Sequence, residues 1–179
     1  MASSPAGALE TRSYLRYTAE TMRLYFLRHA DALEGANDAS RSLSPKGKKQ
    51  SRALGRFLKR AGIRFDAAYT SPLVRARQTA AIVLETSGSA DTAKLTLAEA
   101  LLNESSDFEF TRWLKGLPEA NHVLLVGHAP ALAQRLSNLM GLRDADIVRL
   151  PKGGLACLEA EDRGEVTLKF LITPKALGV

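Results

Sequence analysis

The sequence predicts an α/β protein: a three-layer α/β/α sandwich on a mostly parallel sheet, closed by a C-terminal hairpin. Three features predict it. Short apolar runs alternate with stretches of helical period over residues 22–141. Two Ser-Pro pairs, Ser44-Pro45 and Ser71-Pro72, stand where helices would follow strands, with Ser as N-cap and Pro at the first helical position. The last third abandons the alternation for two adjacent β-rich runs, 154–160 and 165–172, around the turn Asp162-Arg163-Gly164.

In chain order, residues 1–21 begin with small residues and Pro and read as a flexible N-terminal extension, with residues 22–179 as a single domain. The extension lacks the apolar stretch of a secretory signal, so a cytoplasmic protein is expected. MRLYFLRH, residues 22–29, is a short, largely apolar run of the kind a buried strand shows. The helix opened by Ser44-Pro45 places Ala53, Leu54, Phe57, Leu58 and Ala61 at helical spacing and ends at Gly62. Residues 65–69 form the second strand, and a helix from Ser71-Pro72 runs to about Glu85. A short strand at 94–98 precedes a helix over 107–115 that carries Trp113. HVLLV, residues 122–126, is another buried strand, and Ala129-Pro130 begins a helix that stops at Gly141. The hairpin carrying Cys157 is expected to contribute only sheet edge and core, and His122 to be structural.

Composition narrows the function. Hydrophobic residues at 45% and charged residues at 25% are ordinary for a globular protein and leave no room for disorder or coiled coil. A single cysteine excludes a disulfide framework and the multi-cysteine zinc sites. No run approaches the roughly 20 apolar residues of a membrane-spanning helix. The charge of +6, from 25 Lys and Arg against 19 Asp and Glu, points to an anionic partner. The first 21 residues carry Arg12, Arg16, Glu10 and Glu20, so the surplus belongs to the folded part.

In an open α/β sheet, ligands gather beyond the carboxyl ends of the strands. Three such ends carry chemistry here: Leu27-Arg28-His29-Ala30, then Thr70-Ser71-Pro72 followed by Arg75 and Gln78-Thr79, then Gly127-His128-Ala129-Pro130. Taken singly, each fits a plain role: a solvated loop, one charge on a helix face, a helix-entry turn. Their recurrence at three strand ends is what carries weight. Two guanidiniums suit the oxygens of a phosphoryl group. The helix that follows Ser71-Pro72 adds free amides. One neutral imidazole can attack phosphorus, and a second can donate to a phosphoryl oxygen as charge builds. There is no Asp-rich metal motif and no P-loop, so no metal or cofactor is expected and the protein's own cations take that part.

The ordered set Leu-Arg-His-Ala, Ser71-Pro-x-x-Arg75-Ala-x-x-Thr79 and Gly127-His128 resembles the histidine phosphatase (phosphoglycerate mutase-like) superfamily. Over residues 22–173 the compact chain looks most like the SixA-type phosphohistidine phosphatases. The resemblance implies a phosphoglycerate mutase-like fold, His29 as nucleophile, and Arg28, Arg75 and His128 as the phosphate-holding groups. Two departures follow. The third position of the first motif is Ala30 where the family usually has Gly. The family's carboxyl proton donor has no clear equivalent; Asp31, two residues from His29, and Glu99, after the short third strand, are the candidates, each equally readable as a surface carboxylate.

Weak acid catalysis favours a P–N bond over an alkyl ester, because imidazole is readily protonated near its pKa of about 6.5 whereas an alkoxide leaves poorly. The expected substrate is therefore a phosphorylated protein carrying phosphohistidine. A small phosphorylated molecule, through a phosphomonoesterase or mutase on the same scaffold, is the alternative, and a non-catalytic module for phosphorylated partners is another. Arg41, Lys46, Lys48, Lys49, Arg52, Arg56, Lys59 and Arg60 read as one heavily basic helix, either a solvated face or a docking surface. Phe57 is the one aromatic residue among these charges and no nucleic-acid motif appears, so nucleic acid is not an expected partner; a membrane is not expected either.

Overall fold

A computed structural model describes residues 21–144, 147–160 and 165–179. Residues 1–20 of the expected N-terminal extension and the turn at 162–164 lie outside the described residues. The strands are β1 (Met22–Arg28), β2 (Ala67–Thr70), β3 (Leu95–Leu97), β4 (His122–Gly127), β5 (Leu155–Ala160) and β6 (Val166–Ile172). The helices are α1 (Pro45–Arg60), α2 (Val74–Ser87), α3 (Asp107–Lys115) and α4 (Ala131–Leu139). They meet the expectation of a mixed α/β fold with a mostly parallel sheet.

The sheet order is β3-β2-β4-β1-β5-β6. β1 through β4 are mutually parallel, β5 is antiparallel to β1, and β6 is antiparallel to β5. Successive side chains of a strand face opposite sides of the sheet, and each side has its own core. Met22, Leu24 and Phe26 of β1 pack with Phe110 and Leu114 of α3 and Leu132 and Leu136 of α4. Tyr25 and Leu27 pack with Leu54 and Leu58 of α1 and Ala76, Ala80 and Val83 of α2. Each fully buried Leu or Phe contributes about 1.5–3 kcal/mol.

Several boundaries follow their sequence signals. Ser44 caps α1, its Oγ accepting from Gly47 N at 3.0 Å with Pro45 at the first helical position. Ser106 and Glu109 form a reciprocal capping box on α3. Gly62 and Gly141, with φ of +68° and +69°, take the left-handed conformation just beyond their helices.

Two expectations are corrected. Ser71-Pro72 does not cap α2, which starts at Val74 with Leu73 before it and no side-chain cap; the Ser71 hydroxyl is instead engaged by His128. α2 runs past Glu85 to Ser87 and ends at the left-handed Gly88. The hairpin meets its expectation of core and sheet edge: β5, with the buried Cys157, lies between β1 and β6, and β6 is one edge of the sheet, β3 the other.

α1 approaches β1's exit loop closely. A Cβ on Gly47 would overlap the Asp31 carbonyl oxygen, which is backbone and cannot swing away. Gly47→Ala is expected to cost about 1–3 kcal/mol by overpacking, read as a lower thermal midpoint; an unchanged midpoint would refute this contact.

Candidate active site

Strand register assembles the site. β1 pairs with β4 so that Arg28 lies opposite Gly127, and β2 pairs with β4 so that Thr70 lies opposite Val126. The residues that follow, His29, His128 and Ser71, therefore leave the sheet side by side. His29 N donates to Gly127 O at 3.0 Å, and Ser71 N donates to Val126 O at 3.0 Å.

The His29 ring is 8% exposed, and its Nδ1 lies 2.8 Å from the Ala30 carbonyl oxygen. A carbonyl only accepts, so Nδ1 carries the proton and Nε2 keeps its lone pair. Burial pushes the His29 pKa down to about 4, the Arg75, Arg28 and Lys152 cations reinforcing it against the Ala30 hydrogen bond. His128 stands beside it, ring centroids 5.0 Å apart. Its Nε2 hydrogen-bonds the Ser71 hydroxyl, and its buried Nδ1 has no partner among the described residues. Burial, then the neighbouring His29 and Arg75, pushes the His128 pKa down to about 3. Both rings are neutral at pH 7.

The arginines are held differently. Arg75, in the first turn of α2, is 7% exposed. Its Nη1 donates to Asp38 O at 2.6 Å and its Nη2 to Asp38 Oδ2 at 2.8 Å. Asp38 lies in a short 3-10 turn, Asp38–Ser40, and also pairs with Arg41 at 2.9 Å. The two guanidiniums, Arg75 first, hold the Asp38 carboxyl below the usual carboxylate range. Arg28, half-buried, donates from Nη1 to Leu150 O at 3.0 Å, while its buried Nε has no partner among the described residues. Burial lowers its pKa from the ordinary arginine value.

Thr79 ties two of the motifs together: its Oγ1 accepts from Ala30 N at 3.0 Å and donates to Arg75 O at 2.7 Å. Ala30 is fully buried, so the methyl group that replaces the family's Gly is accommodated. The two donor candidates diverge. Asp31 accepts from Ser44 Oγ at 2.7 Å and Lys152 Nζ at 3.1 Å, and these contacts, Ser44's foremost, hold its carboxyl below the usual range. Asp31 is thus an ionised anchor between α1 and the loop before β5. Glu99 is exposed just past the carboxyl end of β3, and its side chain makes no hydrogen bond or ion pair among the described residues.

Sequence reasoning missed Asp38, Lys152, the Leu150 carbonyl and the second task of Ser71. Asp38 sits in the polar run GANDASRS, which reads as a solvated loop. Lys152 and Leu150 come from the far end of the chain, in a loop where Gly153 N reaches both Arg28 O and His29 O at 3.1 Å. Only Ser71 carried a local signal, since it directly follows β2. His122, as expected, is structural: Tyr25 Oη lies 2.8 Å from its Nδ1, and the two rings stack. Arg41 precedes α1 rather than belonging to it. Among the described residues no group of three or more His, Cys, Asp or Glu is placed to hold a metal ion, and no helix is long and apolar enough to cross a membrane.

Chemically, this arrangement can hold a tetrahedral oxyanion beside a neutral imidazole nitrogen, and the class is that of a phosphoryl-handling hydrolase. The chain belongs to the histidine phosphatase superfamily: the model of its branch 1 matches residues 24–110, which include Arg28, His29 and Arg75. An uncharacterized protein of Picosynechococcus sp. is 32% identical over 174 residues, aligned over 87% of this chain and 99% of that protein. A 2,3-bisphosphoglycerate-dependent phosphoglycerate mutase of Methylobacterium sp. is 48% identical over 62 residues, and the chain spans only 29% of that mutase's length. Among solved structures, the protein histidine phosphatase SixA complexed with tungstate superposes with a TM-score of 0.75 at 22% identity, covering 87% of this chain and 99% of that one. That likeness shows the shared fold.

Proposed function

We propose that this protein is a metal-independent phosphatase that removes phosphoryl groups from histidine side chains of proteins, through a covalent phosphohistidine on His29. The observation that carries the reading is the fixed tautomer of a neutral ring: His29 Nδ1–H is committed to Ala30 O, which leaves Nε2 as the nucleophile. Nε2 attacks phosphorus, the P–N bond to the substrate imidazole breaks, and the leaving nitrogen takes a proton. Water then attacks the phosphoryl group on His29, the P–Nε2 bond breaks, and phosphate leaves as the water gives up its proton.

Arg28, Arg75 and His128 hold the phosphoryl oxygens in this scheme. The buried Arg28 Nε and His128 Nδ1 support it, because each lacks a protein partner that a phosphoryl oxygen would supply. The fold shared with SixA, a structure that holds the oxyanion tungstate, supports the same reading. A cytoplasmic setting completes the proposal, with residues 22–179 acting as one domain.

The test is a panel of a phosphohistidine peptide and alkyl phosphates, with the labelled enzyme quenched in alkali and mapped for acid-labile phosphate. Turnover should be clearly faster on the peptide, with label on His29, and chelators should change nothing. Equal rates on both substrates would sink the preference, and label elsewhere would sink the intermediate.

Of the two carboxylates, the proposal gives proton donation to Glu99, since Asp31 is committed to Ser44 and Lys152. Glu99→Gln is expected to slow alkyl phosphate hydrolysis by ~10²-fold or more, while phosphohistidine turnover falls much less. Equal losses on both substrates would contradict that role.

A further inference from the structure

The cations of α1 share one face. At 3.6 residues per turn, Lys48, Lys49, Arg52, Arg56, Lys59 and Arg60 fall within an arc of roughly 120°, and Lys46 extends it to about 160°. All seven are exposed, while Gly47, Gln50, Ser51, Leu54 and Leu58 turn inward. The helix contains no Asp or Glu, and none of the seven forms an ion pair among the described residues.

Folding alone disfavours this pattern. Lys48 with Arg52, Arg52 with Arg56, and Arg56 with Arg60 are like charges four residues apart, which repel on a helix surface. Lys46 and Lys48 also stand at the end where the helix dipole favours acids. Interleaved carboxylates would keep such a face soluble without that repulsion.

The face begins at the rim of the site. Ser44 N donates to Asp31 O at 3.0 Å, and Asp31 N donates to Gln50 Oε1 at 3.0 Å, which fastens the start of α1 two residues from His29. Its 16 residues carry the charge about 24 Å away from the pocket.

We infer that this face of α1 docks an acidic protein surface adjoining the phosphorylated histidine, an inference that rests on the phosphatase reading above. Positive potential leading to the pocket steers such a partner and raises its association rate. Nucleic acid fits less well, because Phe57, the one ring of the helix, is half-buried against Phe170 and offers no stacking face. A membrane fits less well too, because this face carries no large apolar side chain to insert.

The experiment uses the full chain and two phosphohistidine peptides of equal length. One carries about eight Asp and Glu residues after the phosphohistidine, enough in extended form to span the face; the other carries Gly and Ser there. At low salt the acidic peptide should show kcat/KM about tenfold higher, with the preference fading toward 0.5 M salt, where the screening length is only about 4 Å. The triple variant Lys48→Gln, Arg52→Gln, Arg56→Gln, with good helix formers at exposed sites, should erase the preference and leave the neutral peptide's rate unchanged.

Equal rates on the two peptides, or a preference that survives the triple variant, would overturn the docking face. So would a DNA oligomer that competes better than the unphosphorylated acidic peptide. If neither peptide is hydrolysed, the phosphatase reading fails separately, and fluorescence anisotropy of the labelled acidic peptide decides the docking. Tighter binding than the neutral peptide, lost in the triple variant, supports the face; equal binding overturns it.

Discussion

Replacing His29 with alanine should abolish turnover, with kcat down by ~10⁴-fold or more, the scale seen when the nucleophile of a covalent mechanism is removed. The fold should survive, since the ring's one hydrogen bond among the described residues is to the neighbouring Ala30 carbonyl. The check is single-turnover assay beside circular dichroism; appreciable turnover by a folded variant would refute the nucleophile.

The same imidazole governs the pH dependence. His29 protonates at about 4 in the folded protein, so kcat/KM should hold from pH 7 down to about 5 and fall on an acid limb near 4. The sign for stability follows from linkage. An unfolded histidine binds a proton below about 6.5, whereas His29 and His128 stay neutral in the folded state down to about 4 and about 3. Between those values the unfolded chain holds more protons, so stability is fully present above 6.5 and declines as pH falls toward 4. A denaturation midpoint higher at pH 5 than at pH 7 would contradict it.

Arg75→Ala is the second large effect. Loss of a preorganised charged donor is expected to cost ~10²–10³-fold in kcat, or about 2.7–4 kcal/mol of transition-state stabilisation. Arg75→Lys should recover only part, because an ammonium cannot reproduce the fork whose Nη1 and Nη2 both reach Asp38. The measurement is kcat for both variants on the phosphohistidine peptide. An alanine variant within a few-fold of the parent would remove Arg75 from the phosphate site.

Asp38 explains why that arginine was easier to find than its setting. Arg75 stands four residues after Ser71 in a motif that reads along the chain, whereas Asp38 lies 37 residues upstream in a polar loop with no period or cap signal tied to α2. Ser71 shows the opposite error. A Ser-Pro pair is a sound helix start at Ser44, where the hydroxyl meets Gly47 N, but at Ser71 a buried imidazole takes the hydroxyl instead.

Local chemistry written in consecutive residues was therefore decided by the sequence alone: the alternation of strands and helices, the cap of α1, the order of the motifs and the family they mark. Pairing across distance was decided by the tertiary structure. The parallel register of β1 with β4 sets His29 beside His128 across 99 residues of chain, and the loop before β5 brings Lys152 to Asp31. The reason is physical: caps and periodicity act within a turn or two of helix, whereas burial, ion pairing and the depressed histidine pKa values arise only when the folded sheet brings distant segments together and excludes water from between them.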